Sequence, residues 1–383
     1  MGKEVKKIIH IANMQGFLEN FFSRHLADMS EKGYRMFVAC GDNDKLKPWA
    51  SRCGLAGYKT LTLDRTLSVF NDIRSFFSFC SYLRKNKIDT VISHQAKGKL
   101  IGVTAAWLMR VPNRIMWSHG VMYEAAHGWK RKILKLLDKI LASMSTKIIC
   151  VSKSVSKVYK SSNKLFVIGK GSCTGVDTKI TFNPATINDV KISEIRSKFG
   201  LKKDDFIVGF CGRFVNDKGI HELVDGFEML KKRHPEKSIK LLLIGDLDNY
   251  DGISNSFFDY LKNNETIVVT GRVDHENISH YFSLFDVFVL PSYREGFGMV
   301  TIEAGAMGVP AIVSKATGCI DSIVENQTGL YCDISPESIC EQLEYMMLND
   351  DERQRMGENA RKWIVENFET EEMLPLVEKI IVE

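Results

Sequence analysis

Several features are scarce in this 383-residue chain, and each scarcity excludes a class of protein. No apolar run approaches the roughly 18 residues that crossing a bilayer requires, so no membrane-spanning helix is expected. The opening Met1-Gly-Lys-Glu-Val-Lys-Lys is too polar for a signal peptide and runs straight into a strand pattern. The nine cysteines are odd in number and form no Cys-x-x-Cys pair, which argues for reduced intracellular thiols rather than disulfides or zinc. Only 8 prolines, with 28 scattered glycines and no heptad or short repeat, exclude collagen-like, disordered and coiled-coil chains. What is plentiful is core. At 44% hydrophobic residues, the length accommodates two domains of roughly 150 residues each.

The net charge of +5 conceals an uneven spread. Residues 1–180 hold 31 Lys+Arg against 12 Asp+Glu, and the remainder holds 21 against 35. A net of +19 followed by one of −14 points to two domains with different partners, one of them anionic.

Short β-branched runs alternate with helical patterns through the first half. Lys6–Ile11, Arg35–Cys40, Ile88–Ser93, Arg114–Ser118 and Lys147–Val151 read as buried parallel strands. Phe17–Lys32, Asn71–Lys85, Lys99–Arg110 and Trp129–Met144 read as the helices between them. The polar stretch from Asn183-Pro184 to about Ser193 reads as a linker. The rhythm then restarts with strands at Phe206–Cys211, Ile239–Ile244, Thr266–Val269, Asp286–Leu290 and Ala311–Ser314. The pattern predicts an α/β protein of two Rossmann-like, doubly wound domains, residues 1–183 and 194–367, facing across a cleft at the carboxyl ends of their strands. A helical tail over Asp350–Glu383, broken at Asn367-Phe368, is expected to carry its last part, about 368–383, back to the first domain.

Two stretches of the second half carry chemistry. In Gly209-Phe-Cys-Gly-Arg213-Phe-Val-Asn-Asp-Lys218-Gly219 a strand ends and an amphipathic helix begins, with Ile220, Leu223, Val224, Phe227 and Leu230 on its apolar face. Arg213 and Lys218 flank that turn, where two cations beside helix N–H groups suit a diphosphate. Two solvated surface cations are the alternative. The second stretch runs from Pro291 to Pro310. In it Gly296 and Gly298 admit a close backbone approach, a helix starts near Met299, and Glu295 and Glu303 frame the turn. Carboxylates accept hydrogen bonds from sugar hydroxyls, so a pair of them around a phosphate-binding turn suits a nucleotide-sugar.

Arg213…Lys218 followed by Glu295-x7-Glu303 resembles the donor site of the retaining glycosyltransferases of family 4, which have the two-domain GT-B fold. Thr270-Gly-Arg-Val273, Gly329-Leu-Tyr, Trp117-Ser-His119-Gly120 and Gly171-Ser-Cys-Thr-Gly-Val-Asp177 resemble that family in order and spacing. The resemblance spans nearly the whole chain and is most specific over residues 205–335. It implies that Arg213 and Lys218 hold the donor diphosphate, that Glu303 binds the ribose, and that the backbone near Val273 reads the base. Glu295 with Gly296-Phe297-Gly298 would hold the transferred sugar in a pocket bounded by Met299, with the N–H groups of Val300 and Thr301 on the distal phosphate. His119 would approach the sugar from the first domain, and Gly16 would line the acceptor-phosphate side. Glu295, His119, Arg213 and Lys218 are thus the residues expected to carry catalysis. Arg213, Lys218 and a helix terminus can balance the diphosphate charge, so neither metal nor cofactor is expected. The leaving phosphate would help deprotonate the incoming hydroxyl, and no protein nucleophile is required.

The segment from His119 to Val151 resembles enzymes of bacterial surface polysaccharide assembly. The implied function is transfer of a hexose or related sugar from a UDP-sugar to a lipid-diphosphate-linked or glycan acceptor for capsule, O-antigen or exopolysaccharide. A nucleotide-sugar epimerase of the same fold, or a non-catalytic sugar- or nucleic-acid-binding protein, is the rival. No nucleic-acid-binding motif is present, and no nucleic-acid partner is expected.

Other features have blander readings beside sharp ones. Asp246-Leu-Asp248 has the Asp-x-Asp form that metal-dependent glycosyltransferases use, yet it follows a Rossmann strand, where acidic turns are common. Gly169-Lys-Gly171-Ser-Cys-Thr-Gly175 echoes a dinucleotide loop but lacks the helix that should follow. Glu295 and Glu303 as a glycosidase pair would leave the phosphate features unexplained. His10 in a strand reads as core, and His94 and His127 carry no assigned role. Within Trp129–Ala142, Ile133, Leu136, Leu137, Ile140 and Leu141 share a face opposite Lys130, Arg131, Lys132, Lys135 and Lys139. That is either a helix packed on its sheet or one lying on an anionic membrane. Arg74, Arg84, Lys85 and Lys87 among Phe76, Phe77 and Phe79 repeat the pattern. The expectation is a cytoplasmic protein, peripheral at the cytoplasmic face of the inner membrane.

Overall fold

The computed structural model describes residues 5–41, 44–63, 68–121, 123–124, 126–159, 163–248 and 252–383. Residues 1–4, part of the polar N-terminus noted above, lie outside them. The chain divides into two compact units, residues 1–175 with 371–383, and residues 176–370.

The first unit is a seven-stranded parallel sheet in the order β3-β2-β1-β4-β5-β6-β7. Its strands are Lys7–Ile11 (β1), Arg35–Gly41 (β2), Gly57–Leu61 (β3), Thr90–Ser93 (β4), Asn113–Ser118 (β5), Lys147–Cys150 (β6) and Leu165–Val167 (β7). Helices Gln15–Glu31 (α1), Leu46–Arg52 (α2), Val69–Asn86 (α3), Ala96–Leu108 (α4), Gly128–Met144 (α5) and Lys153–Ser156 (α6) connect them. Central strands such as Thr90-Val-Ile-Ser93 are buried along their whole length, as a sheet covered on both faces requires. The final helix, Thr370–Val382, docks here by its C-terminal carbonyls. Asn113 Nδ2 donates to the Ile381 oxygen at 2.8 Å and Lys147 Nζ to the Ile380 oxygen at 2.6 Å.

The second unit repeats the plan with six strands in the order β10-β9-β8-β11-β12-β13. These are Phe206–Cys211 (β8), Ile239–Ile244 (β9), Ile267–Val269 (β10), Val287–Leu290 (β11), Ala311–Ser314 (β12) and Gly329–Cys332 (β13). Its helices are Asp189–Phe199 (α7), Ile220–Arg233 (α8), Asn255–Asn263 (α9), Ile278–Phe282 (α10), Met299–Ala306 (α11), Pro336–Leu348 (α12) and Asp350–Phe368 (α13), so the terminal helix is α14. Gly226 lets α8 press onto α12, since a Cβ there would lie 2.8 Å from the Pro336 carbonyl oxygen.

The expected linker is largely structured. Asn183 caps a short 3-10 turn, and the Asn188 side chain accepts from the Val190 and Lys191 N–H groups to start α7. Helix α5 packs on the sheet through Leu134, Leu137 and Leu141, yet much of its apolar stripe faces solvent. Trp129, Ile133, Leu136 and Ile140 are exposed, and of the apolar residues in this helix only Leu141 is fully buried. Among the described residues no helix is long and apolar enough to cross a membrane. All nine cysteines are buried, and none is in a disulfide.

Candidate active site

The second unit builds its site from two turns pressed together. Between β8 and α8 the chain makes a short 3-10 turn, Asn216–Lys218, and Gly219 then takes φ +67°. A Cβ on Gly219 would lie 2.2 Å from the Pro291 carbonyl oxygen, so glycine alone lets this turn meet the loop after β11. Tyr293 and Arg294 tie this loop to the turn and to α8. Tyr293 N–H donates to the Asp217 carbonyl (2.9 Å), Arg294 Nε to Asp217 Oδ2 (2.7 Å), and the Tyr293 hydroxyl to Glu222 Oε1 (2.6 Å). From the other side, Gly318 at φ +85° packs against Glu295, where a Cβ would come within 2.5 Å of the Glu295 oxygen. Glu295 N–H donates to the Thr317 carbonyl at 3.0 Å.

This backbone frame sets Lys218 Nζ against Glu295 Oε1 in an ion pair largely withdrawn from solvent. Ser292 Oγ donates to the same carboxylate oxygen at 3.3 Å. Arg213 donates to Asp248 Oδ2 at 2.9 Å and stays 60% exposed. The second carboxylate of the Asp-x-Asp stretch is therefore held by a cation, while Asp246 Oδ1 accepts from its neighbour's N–H, that of Leu247, at 2.8 Å. Beyond Gly296, Phe297 turns inward onto Phe368, their rings 5.4 Å apart. Gly298 takes φ +75° and α11 begins, with Met299 and Val300 as its first residues. The Thr301 N–H closes on the Gly298 carbonyl at 2.9 Å, whereas its hydroxyl is buried without a hydrogen-bond partner. At this residue the hydroxyl, rather than the expected N–H, is the uncommitted group.

Glu303 lies one turn into α11. Part of the residue reaches solvent, yet its carboxyl is enclosed deeply enough that burial pushes it up to about 7. Burial, with a further contribution from Glu303, also raises the nearby Cys211 thiol. Val273, after β10, lines a cavity of about 340 Å³ with Arg272, Tyr281 and Lys191. Arg213, Lys218, Val273, Glu295–Thr301 and Glu303 thus all belong to the second unit. Together they offer cations and a helix start for an anion, and carboxylates for hydroxyl groups.

Gly16 and His119 belong to the first unit. Gly16 is the second residue of α1, and a Cβ there would meet nothing within 4 Å. His119 follows β5 with both ring nitrogens engaged, Nε2 with His94 Nδ1 at 2.8 Å and Nδ1 with Cys173 Sγ at 3.5 Å. Burial, aided by the Lys99 cation, lowers it to about 3, so it is a neutral imidazole.

Several residues here gave no sequence signal. Asp217, Ser292 and Arg294 hold Lys218 and Glu295 in place, and single polar residues of this kind carry no periodicity. In the first unit Gln95 takes φ +54° and accepts the Asn13 N–H at 2.9 Å, while Asn13 Oδ1 accepts from Gly98 N–H at 2.9 Å.

Among solved structures, HepE of Anabaena in complex with UDP and glucose has a TM-score of 0.78 to this chain at 15% identity, with 98% of each covered. Two tandem parallel-sheet domains of this kind define the GT-B fold. Residues 191–363 match the family model for glycosyl transferases group 1. The chain is 30% identical over 372 residues to the capsular polysaccharide biosynthesis glycosyltransferase CapM of Staphylococcus aureus, covering 96% of this chain and 94% of that one. It is 28% identical over 268 residues to a UDP-Gal:alpha-D-GlcNAc-diphosphoundecaprenol alpha-1,3-galactosyltransferase of Escherichia coli, 67% of this chain and 65% of that one. This chain belongs to the group 1 glycosyltransferases.

Proposed function

We propose that this glycosyltransferase moves a hexose or related sugar from UDP to a lipid-diphosphate-linked sugar in surface polysaccharide assembly, with retention and without a metal. The observation that carries this reading is the Lys218–Glu295 pair, held by two interlocked turns just before the start of α11. The donor diphosphate takes Lys218 and Arg213, and its distal phosphate takes the Thr301 hydroxyl and the first N–H groups of α11. Glu303 accepts from the ribose, the backbone at Val273 meets the base, and Glu295 with Gly296-Phe297-Gly298 accepts the sugar. His119 and Gly16 are the first domain's contributions, to the sugar and to the acceptor phosphate.

In the reaction the bond from the anomeric carbon to the phosphate oxygen breaks, and the bond to the acceptor oxygen forms on the same face. The acceptor proton passes to the departing phosphate, whose charge Lys218, Arg213 and the helix start stabilise. The UDP donor and diphospholipid acceptor of the Escherichia coli relative, and the capsule role of the Staphylococcus aureus one, support the substrate classes.

Two exposed stripes support attachment to an anionic membrane. Val69, Phe70, Ile73 and Phe77 project from α3, and Trp129, Ile133, Leu136 and Ile140 from α5, each among lysines and arginines. The reading is tested by thermal shift with a panel of nucleotide-sugars. Binding at 100-fold over Kd adds about 2.7 kcal/mol of apparent stability. A UDP-sugar should stabilise the wild type and leave Lys218→Ala unmoved; no shift with any nucleoside diphosphate sugar would overturn the proposal.

A further inference from the structure

We propose that His10, His94 and Cys173 are positioning residues that hold the ring of His119 in a single neutral tautomer, with its proton on Nδ1. Three imidazoles and a thiol form one buried chain in the first unit. His10 Nδ1 lies 3.0 Å from His94 Nε2, His94 Nδ1 lies 2.8 Å from His119 Nε2, and His119 Nδ1 lies 3.5 Å from Cys173 Sγ. Each contact needs one proton and each neutral ring carries one, so the chain has only two registers. In one, His10 donates to His94, His94 to His119, and His119 to the sulfur. In the other, every proton sits on the opposite nitrogen and the thiol donates to His119.

The far end of the chain decides between them. His10 Nε2 is buried with no hydrogen-bond partner, in a cage where the Phe22 and His25 rings lie 5.6 and 5.4 Å from the His10 ring. The second register would leave an N–H there without an acceptor, whereas the first leaves only a lone pair, the less costly orphan. The first register therefore holds, and all three rings carry Nδ1–H. Charging His94 or His119 would set N–H against N–H across a contact, and charging His10 would put an N–H on its buried, unpartnered Nε2.

The surroundings also disfavour charge. His10 comes from β1, His25 from α1, His94 from the end of β4, and Lys99 from α4, with Asp138 of α5 3.4 Å from Lys99. Burial is the first cause that disfavours charge on His25 and Lys32 of α1 adds to it, whereas Asp28 of α1 and Glu378 of α14 act the other way. Trp117 stacks nearly parallel to the His119 ring at 5.9 Å and Phe17 meets it edge-on at 4.9 Å, so the ring plane is fixed as well. A neutral ring keeps a cation away from a sugar that becomes positive as its phosphate leaves. This consequence rests on the reading above that His119 lies at the donor sugar.

The test has two arms on the full chain. The first is NMR of the wild type with 15N-labelled histidine and no donor, which needs neither variant nor substrate. His10, His94 and His119 should stay neutral with Nδ1–H from pH 5.5 to 8. Titration of any of them near 6.5, or a proton on Nε2, overturns the proposal. The second compares kcat of His94→Phe with wild type at saturating donor, as a ratio so that other titrations cancel. Without the His94 N–H facing it, His119 Nε2 should take up a proton more readily although burial persists, so the ratio should fall by about twofold or more from pH 7.5 to 5.5 with donor KM unchanged. His94→Gln, which still bonds to His119, should keep the ratio flat. If His94→Phe fails to fold, His10→Phe at the end of the chain should show the same limb in weaker form. A locked tautomer with flat ratios in every variant overturns the positioning role and the placing of His119 at the sugar. Donor binding through Lys218, measured separately, is untouched by that outcome.

Discussion

Glu303→Gln is the perturbation whose magnitude follows most directly from the structure. Burial raises the Glu303 carboxyl from 4.5 to about 7. A carboxyl whose folded value exceeds its unfolded value holds its proton more tightly when folded. Its penalty is therefore absent at low pH, grows as pH rises from about 4.5 to about 7, and is complete above that. At about 1.4 kcal/mol per unit, the full penalty is about 3 kcal/mol. Glutamine keeps the shape and removes the charge, so Glu303→Gln should match the wild type near pH 4.5 and exceed its stability by up to about 3 kcal/mol at pH 8. Chemical denaturation at a series of pH values, followed by a probe in the second unit, measures the gap. Donor binding should move oppositely, because the ionised carboxylate is the better acceptor for ribose hydroxyls. For UDP-glucose, whose phosphates do not titrate here, Kd should rise about tenfold from pH 8 to pH 6 in the wild type and stay level in the variant. A stability gap independent of pH, or a variant less stable than the wild type at pH 8, would refute the reasoning.

Three further outcomes follow from geometry. Gly219→Ala puts a Cβ onto the Pro291 carbonyl at positive φ, so it should cost at least about 2 kcal/mol by urea melting and lower turnover by separating Lys218 from Glu295. Thr301→Val replaces a buried, unpartnered hydroxyl with a methyl; it should leave Tm equal or higher while weakening UDP about fivefold by calorimetry. Replacing Lys130, Lys132 and Lys135 by Gln should weaken binding to anionic vesicles about 100-fold or more at low salt, at about 1 kcal/mol per charge. Equal sedimentation with the vesicles would argue against α5 as the membrane face.

The legible parts of the fold were the buried ones. β1, β4, β8 and β11 are short apolar runs between turns, and each stands within a residue or two of its expected place. The edge strand β7 is only three half-buried residues, and β3 at the other edge includes the exposed Tyr58, so neither produces a strong pattern. The same logic applies to the site. Glycines and paired carboxylates announce the two interlocked turns of the second unit in the sequence. The histidine chain does not, because His10, His94, His119 and Cys173 are far apart in sequence and meet only through the order of β1, β4 and β5. The solvent-facing stripe of α5 is equally invisible, since periodicity finds an apolar face without saying what covers it.

The central claim is that Lys218 and Glu295 serve sugar transfer from a nucleoside diphosphate. The most direct measurement supplies UDP-sugars and an undecaprenyl-diphosphate-linked sugar in anionic vesicles and analyses the lipid product by mass spectrometry. The account predicts one added sugar with release of UDP, reduced 100-fold or more, about 2.7 kcal/mol of transition-state stabilisation, in Lys218→Ala. Full turnover in that variant, or UDP release without any glycosylated lipid, would contradict it.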